Sequence, residues 1–191
     1  MNCQFFAMEV SQPTFAVASH SPYRWEYWQP GLRSVVPPGC SWLPFAAWSL
    51  MHVTRRFRNR QYAVMLAYDG SRPIHRTCVF PGYFRFPFME PRDLQIGDVW
   101  TDPDYRGQGI AGMGLARALT QLASTGPRRV WYLTESTNTA SIRLAERIGF
   151  TSVGQGSRTK KFHCRALGAY VINELSTNLP QTRMDSYEKA A

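Results

Sequence analysis

The chain has 191 residues, of which 44% are hydrophobic and 18% are charged, and these values predict one compact domain that is large enough to bury a core. Its formal net charge of +9 attracts anionic ligands such as nucleotides, phosphates, nucleic acid or lipid head groups before any specific contact forms. The net charge therefore predicts that a partner is anionic, but it does not identify the partner.

Four cysteines lie far apart without a C-x-x-C pair, at Cys3, Cys40, Cys78 and Cys164. This spacing predicts free thiols, with neither a metal site nor a disulfide framework. The N-terminus lacks the basic region and cleavage site of a secretory signal. The longest apolar stretch, residues 42–51, contains Pro44 and is far shorter than the ~20 residues that span a bilayer. We therefore expect a cytoplasmic protein without a transmembrane segment.

The first half of the chain predicts a peripheral segment, a helix and a hairpin. Residues 1–40 are rich in proline and aromatic residues, and we expect one or two short strands within irregular wrapping. Apolar residues at helical spacing predict a helix over residues 43–58 that ends in arginines. Two β-rich runs, 62–68 and 74–80, flank Asp69-Gly70-Ser71 and predict a hairpin.

The second half predicts two strand–helix units. A strand at residues 94–101 is followed by a helical stripe from Ile110 that stops at Gly126-Pro127. A strand at 130–134 then leads to a short helix at 138–148, where Gly149 occupies the position of a left-handed cap. The last strands are predicted at 150–153 and 170–172. Without a linker or repeat, residues 1–175 are expected to form one mixed α/β domain, followed by a flexible tail at 176–191.

The most specific feature is the loop between the third strand and the following helix, residues 102–111 (DPDYRGQGIA). Its glycines allow close approach of a ligand, and the helix start presents free N–H groups and the positive end of the helix dipole. Arg106 adds a permanently charged donor. A diphosphate suits this arrangement. The loop matches neither G-x-G-x-x-G nor a Walker loop, which argues against a dinucleotide or an NTP.

Arg106-x-x-Gly109-x-Ala111 after a strand resembles motif A of the GNAT superfamily of acyl-CoA-dependent N-acyltransferases. The later run from Asn138 to Gly149-Phe150 resembles motif B of that family, at the expected distance. The two motifs in order are more specific than either alone. The resemblance covers residues 62–153, and residues 1–60 hardly contribute to it.

The resemblance implies a mixed, mostly antiparallel central sheet flanked by helices, in which the strands ending at Thr101 and Thr134 splay apart to hold acetyl-CoA or another acyl-CoA. It also implies a set of cofactor contacts, namely Trp100, Thr101, Arg106, Gly107, Gln108, Gly109, Ile110, Ala111, Asn138 and Ser141.

Three residues are candidates for proton transfer, because attack on a thioester requires a neutral amine. Asp98 is the candidate base, and its alternative role is a structural pair at a bulge marked by Gly97. His75 could relay protons or be a packed strand residue. Many relatives carry a tyrosine acid where this chain has Ala145, so Tyr170, Tyr132 or water would replace it, or the thiolate would leave unassisted.

The aromatic loop at residues 81–93 either packs on the core or lines an acceptor pocket, and packing is the preferred interpretation. Its sequence resembles a GNAT subgroup associated with bacterial surface polysaccharide biosynthesis, which implies a small-molecule amine acceptor such as a nucleotide-linked amino sugar. A homodimer is compatible with the sequence, which does not determine the oligomeric state.

Alternative functions remain at this stage. An acyl-CoA sensor without turnover is consistent with Ala145. Arginines 55–60 also suit a nucleic-acid-binding module, although no nucleic-acid motif accompanies them and we expect no nucleic-acid partner. The tryptophan-rich segment before these arginines is compatible with weak association with a membrane surface.

Overall fold

The structure is a computed structural model that describes residues 2–11, 21–31, 34–160 and 168–176. Its elements, in chain order, are β1 (Asn2–Val10), β2 (Arg24–Trp28), α1 (Trp42–Val53), β3 (Ala63–Asp69), β4 (Arg72–Pro81), β5 (Leu94–Thr101), a 3-10 turn (Pro103–Tyr105), α2 (Ile110–Ala123), β6 (Arg128–Glu135), α3 (Thr139–Ile148), β7 (Thr151–Arg158) and β8 (Tyr170–Leu175).

The strands form one eight-stranded sheet in the order β2-β3-β4-β5-β6-β1-β7-β8. Neighbouring strands are antiparallel except for β5 and β6, which pair in parallel. This parallel pairing extends over three residues, Leu94–Ile96 against Val130–Tyr132, although both strands continue beyond it. The predicted mixed, mostly antiparallel sheet with a splayed strand pair is confirmed.

Helices cover both faces of the sheet. Leu115, Leu119 and Leu122 of α2 pack on one face with Leu144 of α3. Phe45 of α1 lies in the core on the other face. Within β3, residues alternate between the two cores, as the period of a strand requires. No helix in the described part of the chain is long and apolar enough to cross a membrane.

The aromatic loop after β4 packs on the α1 face. Tyr83, Phe86, Phe88 and Met89 are buried there, and Phe88 meets the Trp131 ring edge to face at 4.8 Å. Packing, the preferred interpretation of this loop, is therefore correct, and these four side chains do not line an acceptor pocket.

The N-terminal segment differs from the irregular wrapping that we expected for residues 1–40. β1 is nine residues long and lies inside the sheet between β6 and β7. Phe5 and Phe6 point to opposite cores and are 0% and 1% exposed. Because an interior strand is buried on both faces, its sequence lacks the alternation that identifies a half-buried strand. β2, with five residues, is a short strand of the kind expected for this segment.

Helix α1 ends at Val53 and does not continue to Arg58 as predicted. Arg55 adopts a left-handed conformation with φ of 56°, which terminates the helical path. Phe57 is then buried, with its ring stacked on Tyr62 at 5.6 Å. Burial of this ring directs the chain away from the helix axis. Residues 177–191 of the tail predicted at 176–191 lie outside the described residues, as does Cys164. Cys3, Cys40 and Cys78 are free thiols.

Gly156 in β7 offers a test of how closely the last two strands approach. A Cβ atom there would lie 1.9 Å from the Val171 carbonyl oxygen and 2.8 Å from the Phe5 ring. We expect Gly156→Ala to lower the free energy of unfolding by about 1–3 kcal/mol, because the backbone must shift. Gly31→Ala is the control, since a Cβ there meets nothing within 4 Å. Equal thermal unfolding midpoints for the two variants would contradict this packing.

Candidate active site

A network of hydrogen bonds fixes the loop between β5 and α2. The Asp102 carboxylate accepts a hydrogen bond from the backbone N–H of Asp104 at 3.1 Å and pairs with the Arg72 guanidinium at 2.7 Å. The Asp102 N–H donates to the Ile74 carbonyl of β4. The loop therefore leaves the sheet from a point that neighbouring strand β4 holds in place.

Two glycines of this loop adopt left-handed conformations. The φ values are 78° for Gly107 and 75° for Gly109, a region that other residues enter at a cost. A Cβ atom at either position would meet nothing within 4 Å, so the loop faces open space. Gly109 is the N-cap of α2, and the first N–H groups of a helix have no partner within it. They are available to an anionic ligand.

The loop borders a cleft of about 630 Å³ between the diverging strands β5 and β6. All predicted cofactor residues except Gln108 line it. The side chain of Gln108 instead accepts a hydrogen bond from the Tyr23 hydroxyl at 2.8 Å. The cleft also contains residues that were not among the predicted contacts, namely Val99, Tyr105, Gly112, Tyr132, Ala140, Leu144 and Arg147.

The cleft carries positive charge. Arg106 and Arg147 line it, and none of the described residues in its lining is acidic. The Arg106 Nε donates to the Thr101 carbonyl at 3.2 Å, which holds the guanidinium beside the end of β5. Two guanidinium groups and the N-terminus of α2 together suit a diphosphate.

Helix α3 forms the opposite wall of the cleft. The Asn138 side chain caps it by accepting a hydrogen bond from the Ser141 N–H at 3.1 Å, and Gly149 closes it with φ of 102°. The cap at Gly149 agrees with the sequence prediction, which placed Asn138 at the start of this helix without assigning it a cap. The hydroxyl groups of Ser141 and Tyr132 lie 2.7 Å apart. Burial raises the pKa of Tyr132 above its usual 10, so its phenol stays protonated at neutral pH.

Asp98 lies beside the cleft rather than in its lining. It sits at a register shift in β5 opposite β4, with φ of 46°. Its carboxylate accepts two hydrogen bonds from Arg76, at 2.7 and 3.1 Å. Its side chain is 32% exposed. Asp98 therefore forms a structural ion pair with Arg76, which was the alternative to a role as catalytic base. Its carboxylate nevertheless stays partly accessible.

His75 is fully buried under the cleft. Its ring nitrogens lie 2.8 Å from the Thr101 hydroxyl and 2.9 Å from the Thr77 hydroxyl. Burial, with a smaller contribution from Arg76, lowers its pKa from 6.5 to about 3. The imidazole is therefore neutral at physiological pH and bridges two threonines, one of which lines the cleft.

Tyr170 is not brought to the cleft. It lies on β8, the edge strand, with β1 and β7 between it and β6. Its ring stacks on Phe86 at 5.5 Å. Of the tyrosines considered as replacements for the acid, the structure brings Tyr132 into the cleft and leaves Tyr170 at the far edge of the sheet.

A smaller cavity of about 190 Å³ lies on the α1 side of the sheet, and Trp100 lines both it and the cleft. The remaining residues around this cavity are Gly39, Cys40, Ser41, Leu66, Pro73, His75 and Arg76. Trp100 therefore lies where the two spaces approach each other. Within the part of the chain that the structure describes, no group of three or more His, Cys, Asp or Glu side chains is placed to hold a metal ion.

Residues 22–150 match the model of the acetyltransferase (GNAT) family. The chain belongs to the GNAT acetyltransferase family. No functionally curated protein matches it in sequence.

Solved GNAT structures resemble this chain at low identity. A GCN5-related N-acetyltransferase from Sphaerobacter thermophilus is 17% identical with a TM-score of 0.51, over 81% of this chain and 49% of that one. A GNAT-family acetyltransferase from Colwellia psychrerythraea is 17% identical with a TM-score of 0.49, over 81% of this chain and 53% of that one. This chain spans 49% to 62% of the first solved structures that it matches. The likeness to the Sphaerobacter thermophilus structure supports the fold.

Two of the cleft residues outside the predicted cofactor contacts, Arg147 and Tyr132, are polar, and each was missed for a different reason. Arg147 is a basic residue in the last turn of α3, which by itself suits the helix dipole, and its position three residues after Leu144 on a helix bordering the cleft was the available signal. Tyr132 was identified as one of several possible acids, but strand position alone did not favour it over Tyr170. The pairing of β6 with β5 decides between them.

The buried imidazole of His75 predicts acid sensitivity of this GNAT fold. In the unfolded chain it binds a proton below about pH 6.5, whereas the folded state excludes that proton until about pH 3. The unfolded state therefore binds more protons in this window, and the free energy of unfolding falls as pH decreases through it. His75→Gln should unfold with a weaker pH dependence there than the wild type. Identical slopes in urea unfolding would contradict this explanation.

Proposed function

We propose that this protein transfers an acetyl or other short acyl group from acyl-CoA to a primary amine of a small molecule. One observation carries the proposal: the strands β5 and β6 diverge beside a glycine loop at the start of α2, and the cleft between them is lined, within the described ranges, by two arginines and no acidic residue. Membership of the GNAT family supports the same reaction class.

The residues of the cleft fit the diphosphate of an acyl-CoA. Left-handed Gly107 and Gly109 expose the loop backbone without side chains above it, and Arg106 and Arg147 neutralise anionic oxygens. The pantetheine arm has amide groups that can hydrogen-bond the side of β5 facing the cleft, from Val99 to Thr101, as an added strand would. When bound, acyl-CoA supplies a thioester carbonyl activated for attack by an amine.

Tyr132 is proposed as the proton donor to the departing CoA thiolate, which leaves as the thiol. Its hydroxyl lies in the cleft, remains protonated because burial raises its pKa, and is oriented by Ser141 at 2.7 Å. Ala145 is buried on the adjacent helix α3 and has no proton to donate. Tyr132 is therefore a better candidate for the general acid than Tyr170.

The amine acceptor is proposed to enter from the α1 side, through the cavity beside Trp100. Arg76 lines this cavity, and Asp98 is bound to Arg76, so its carboxylate lies on the same side of the sheet. We retain Asp98 as the proposed proton acceptor for the amine. An aromatic ring and an arginine also suit an amino sugar that carries a phosphate or nucleotide, which is the finer proposal for the acceptor.

The cofactor site is tested by acetyl-CoA binding in calorimetry. Arg106→Ala should weaken binding by roughly 10- to 100-fold, since it removes a charged hydrogen-bond donor. Gly109→Val should weaken binding at least as much, because a β-branched residue disfavours φ near 75°. Arg143→Ala, an exposed arginine of α3 outside the cleft lining, is the matched control. Wild-type affinity in both loop variants would exclude this site.

Turnover is tested by thiol release with acetyl-CoA and a panel of nucleotide amino sugars, aminoglycosides, polyamines and peptides. The proposal expects at least one amine to accelerate release. Tight acetyl-CoA binding without release for any amine would favour the alternative of an acyl-CoA sensor without turnover.

Asp98 and Arg76 can be separated with the best acceptor from that panel. Asp98→Asn should lower kcat by about 100-fold or more if the carboxylate accepts the amine proton, with little change in acetyl-CoA affinity. Arg76→Gln breaks the same ion pair but keeps the carboxylate, and it should lower kcat far less. Equal losses of kcat in the two variants would assign Asp98 a structural role at the bulge.

A further inference from the structure

The outward face of α1 is apolar along its whole length. Trp42, Leu43, Leu50 and Val53 are 68%, 78%, 63% and 58% exposed. No charged residue occurs among the twelve residues of this helix. Surface helices normally place polar or charged residues on the outer face. We call these four exposed side chains the α1 patch.

The α1 patch is one continuous stripe. Leu43, Leu50 and Val53 recur at helical spacing with Ala46 and Ala47 between them, so they share one side of the helix. The opposite side is anchored in the core: Phe45 is 0% exposed, and the buried Ser49 hydroxyl donates to the Val35 carbonyl at 2.6 Å. The orientation of the helix, and hence of the stripe, is therefore fixed by packing.

Arginines follow the α1 patch directly. The backbone N–H groups of Arg55 and Arg56 donate to the carbonyls of His52 and Met51 at 3.2 and 2.9 Å, which holds both residues at the end of the helix. Arg55, Arg56 and Arg60 are exposed. Arg58 differs, because its guanidinium donates to the Met89 carbonyl. No Asp or Glu occurs between residues 27 and 68, so this part of the chain supplies no compensating acidic side chain.

We propose that the α1 patch docks on an anionic phospholipid surface, with its apolar side chains in the interface and Arg55, Arg56 and Arg60 on the head groups. Exposed apolar side chains beside a cluster of positive charges are the combination that such a surface recognises. Trp42 adds an amphipathic ring of the kind that favours the interface between water and lipid. This inference does not depend on the proposed acyl transfer.

A second copy of the chain fits the α1 patch less well. Stable protein interfaces use about 20–30 residues on each side, whereas the α1 patch comprises four large side chains. Each copy would also bring a net charge of +9 to the contact. Both the size of the patch and the charge beside it favour the anionic surface.

The test uses the full chain and vesicle flotation. Vesicles of phosphatidylcholine alone and of phosphatidylcholine with equimolar phosphatidylglycerol are compared at low and high salt. We expect flotation with the anionic vesicles, weakened at high salt because added ions screen the arginines. Equal binding to neutral vesicles, or no binding to either kind, would overturn the proposal.

Two double variants separate the apolar and charged contributions. Leu43→Ser with Leu50→Ser should lower the vesicle partition coefficient at least tenfold, by removing buried apolar area. Arg55→Gln with Arg56→Gln should lower it roughly 30-fold, as expected for two arginines near the head groups. Arg143→Gln on α3 is the control for net charge and should lower it far less. Thermal unfolding and acetyl-CoA affinity should be unchanged in all variants.

Other occupants give different results. A concentration-dependent dimer in light scattering that Leu50→Ser dissociates, without vesicle binding, would assign the α1 patch to a second copy. Binding to generic DNA that Arg55→Gln with Arg56→Gln abolishes, without binding to anionic vesicles, would assign the arginines to nucleic acid. A loss with Arg143→Gln equal to that with the Arg55 and Arg56 variant would show a general charge effect and would also overturn the proposal.

Discussion

The cleft depends on the point where β5 stops pairing with β6. Their parallel ladder ends at Ile96 and Tyr132, and the register shift of β5 against β4 begins at the next residue, with Arg76 opposite Trp100 and Cys78 opposite Gly97. A bulge bends its strand and increases the local twist. The left-handed φ of Asp98 lies inside this bulge, and the Arg76 guanidinium holds the carboxylate there. Continued pairing of the two strands would close the space that the candidate cofactor requires.

A second constraint places the helix start at that opening. A Cβ atom at Gly114 of α2 would lie 2.1 Å from Nε2 of His75, so the absence of a side chain lets the helix lie directly over the buried imidazole. His75 in turn contacts Thr101 at the end of β5. Helix α2, the His75 imidazole and the end of β5 therefore pack together. The loop that carries Arg106, Gly107 and Gly109 connects two of these packed elements. Gly114 belongs to the packing of the site rather than to its phosphate loop.

The predictable features are those that local sequence determines. Asn138 and Gly149 mark the ends of α3 because a cap and a left-handed residue are local requirements. The position of β1 depends on contacts far along the chain, such as the hydrogen bond from Gln4 to Ser152, and no local pattern contains that information. The same reason separates Tyr132 from Tyr170: both lie on strands, and the order of strands in the sheet alone decides which one reaches the cleft.

The two faces of the sheet carry different surfaces, and their arrangement relates the two proposals. The proposed acyl-CoA cleft is bordered by α2 and α3, whereas α1 packs on the opposite face. Gly39, Cys40 and Ser41 line the smaller cavity beside Trp100 and lead directly into Trp42 of the α1 patch. A lipid surface that covers α1 would thus lie next to the proposed acceptor entrance, while the cleft on the other face would stay open to water. This geometry would let a water-soluble acyl donor and an acceptor held at a membrane approach Trp100 from opposite sides.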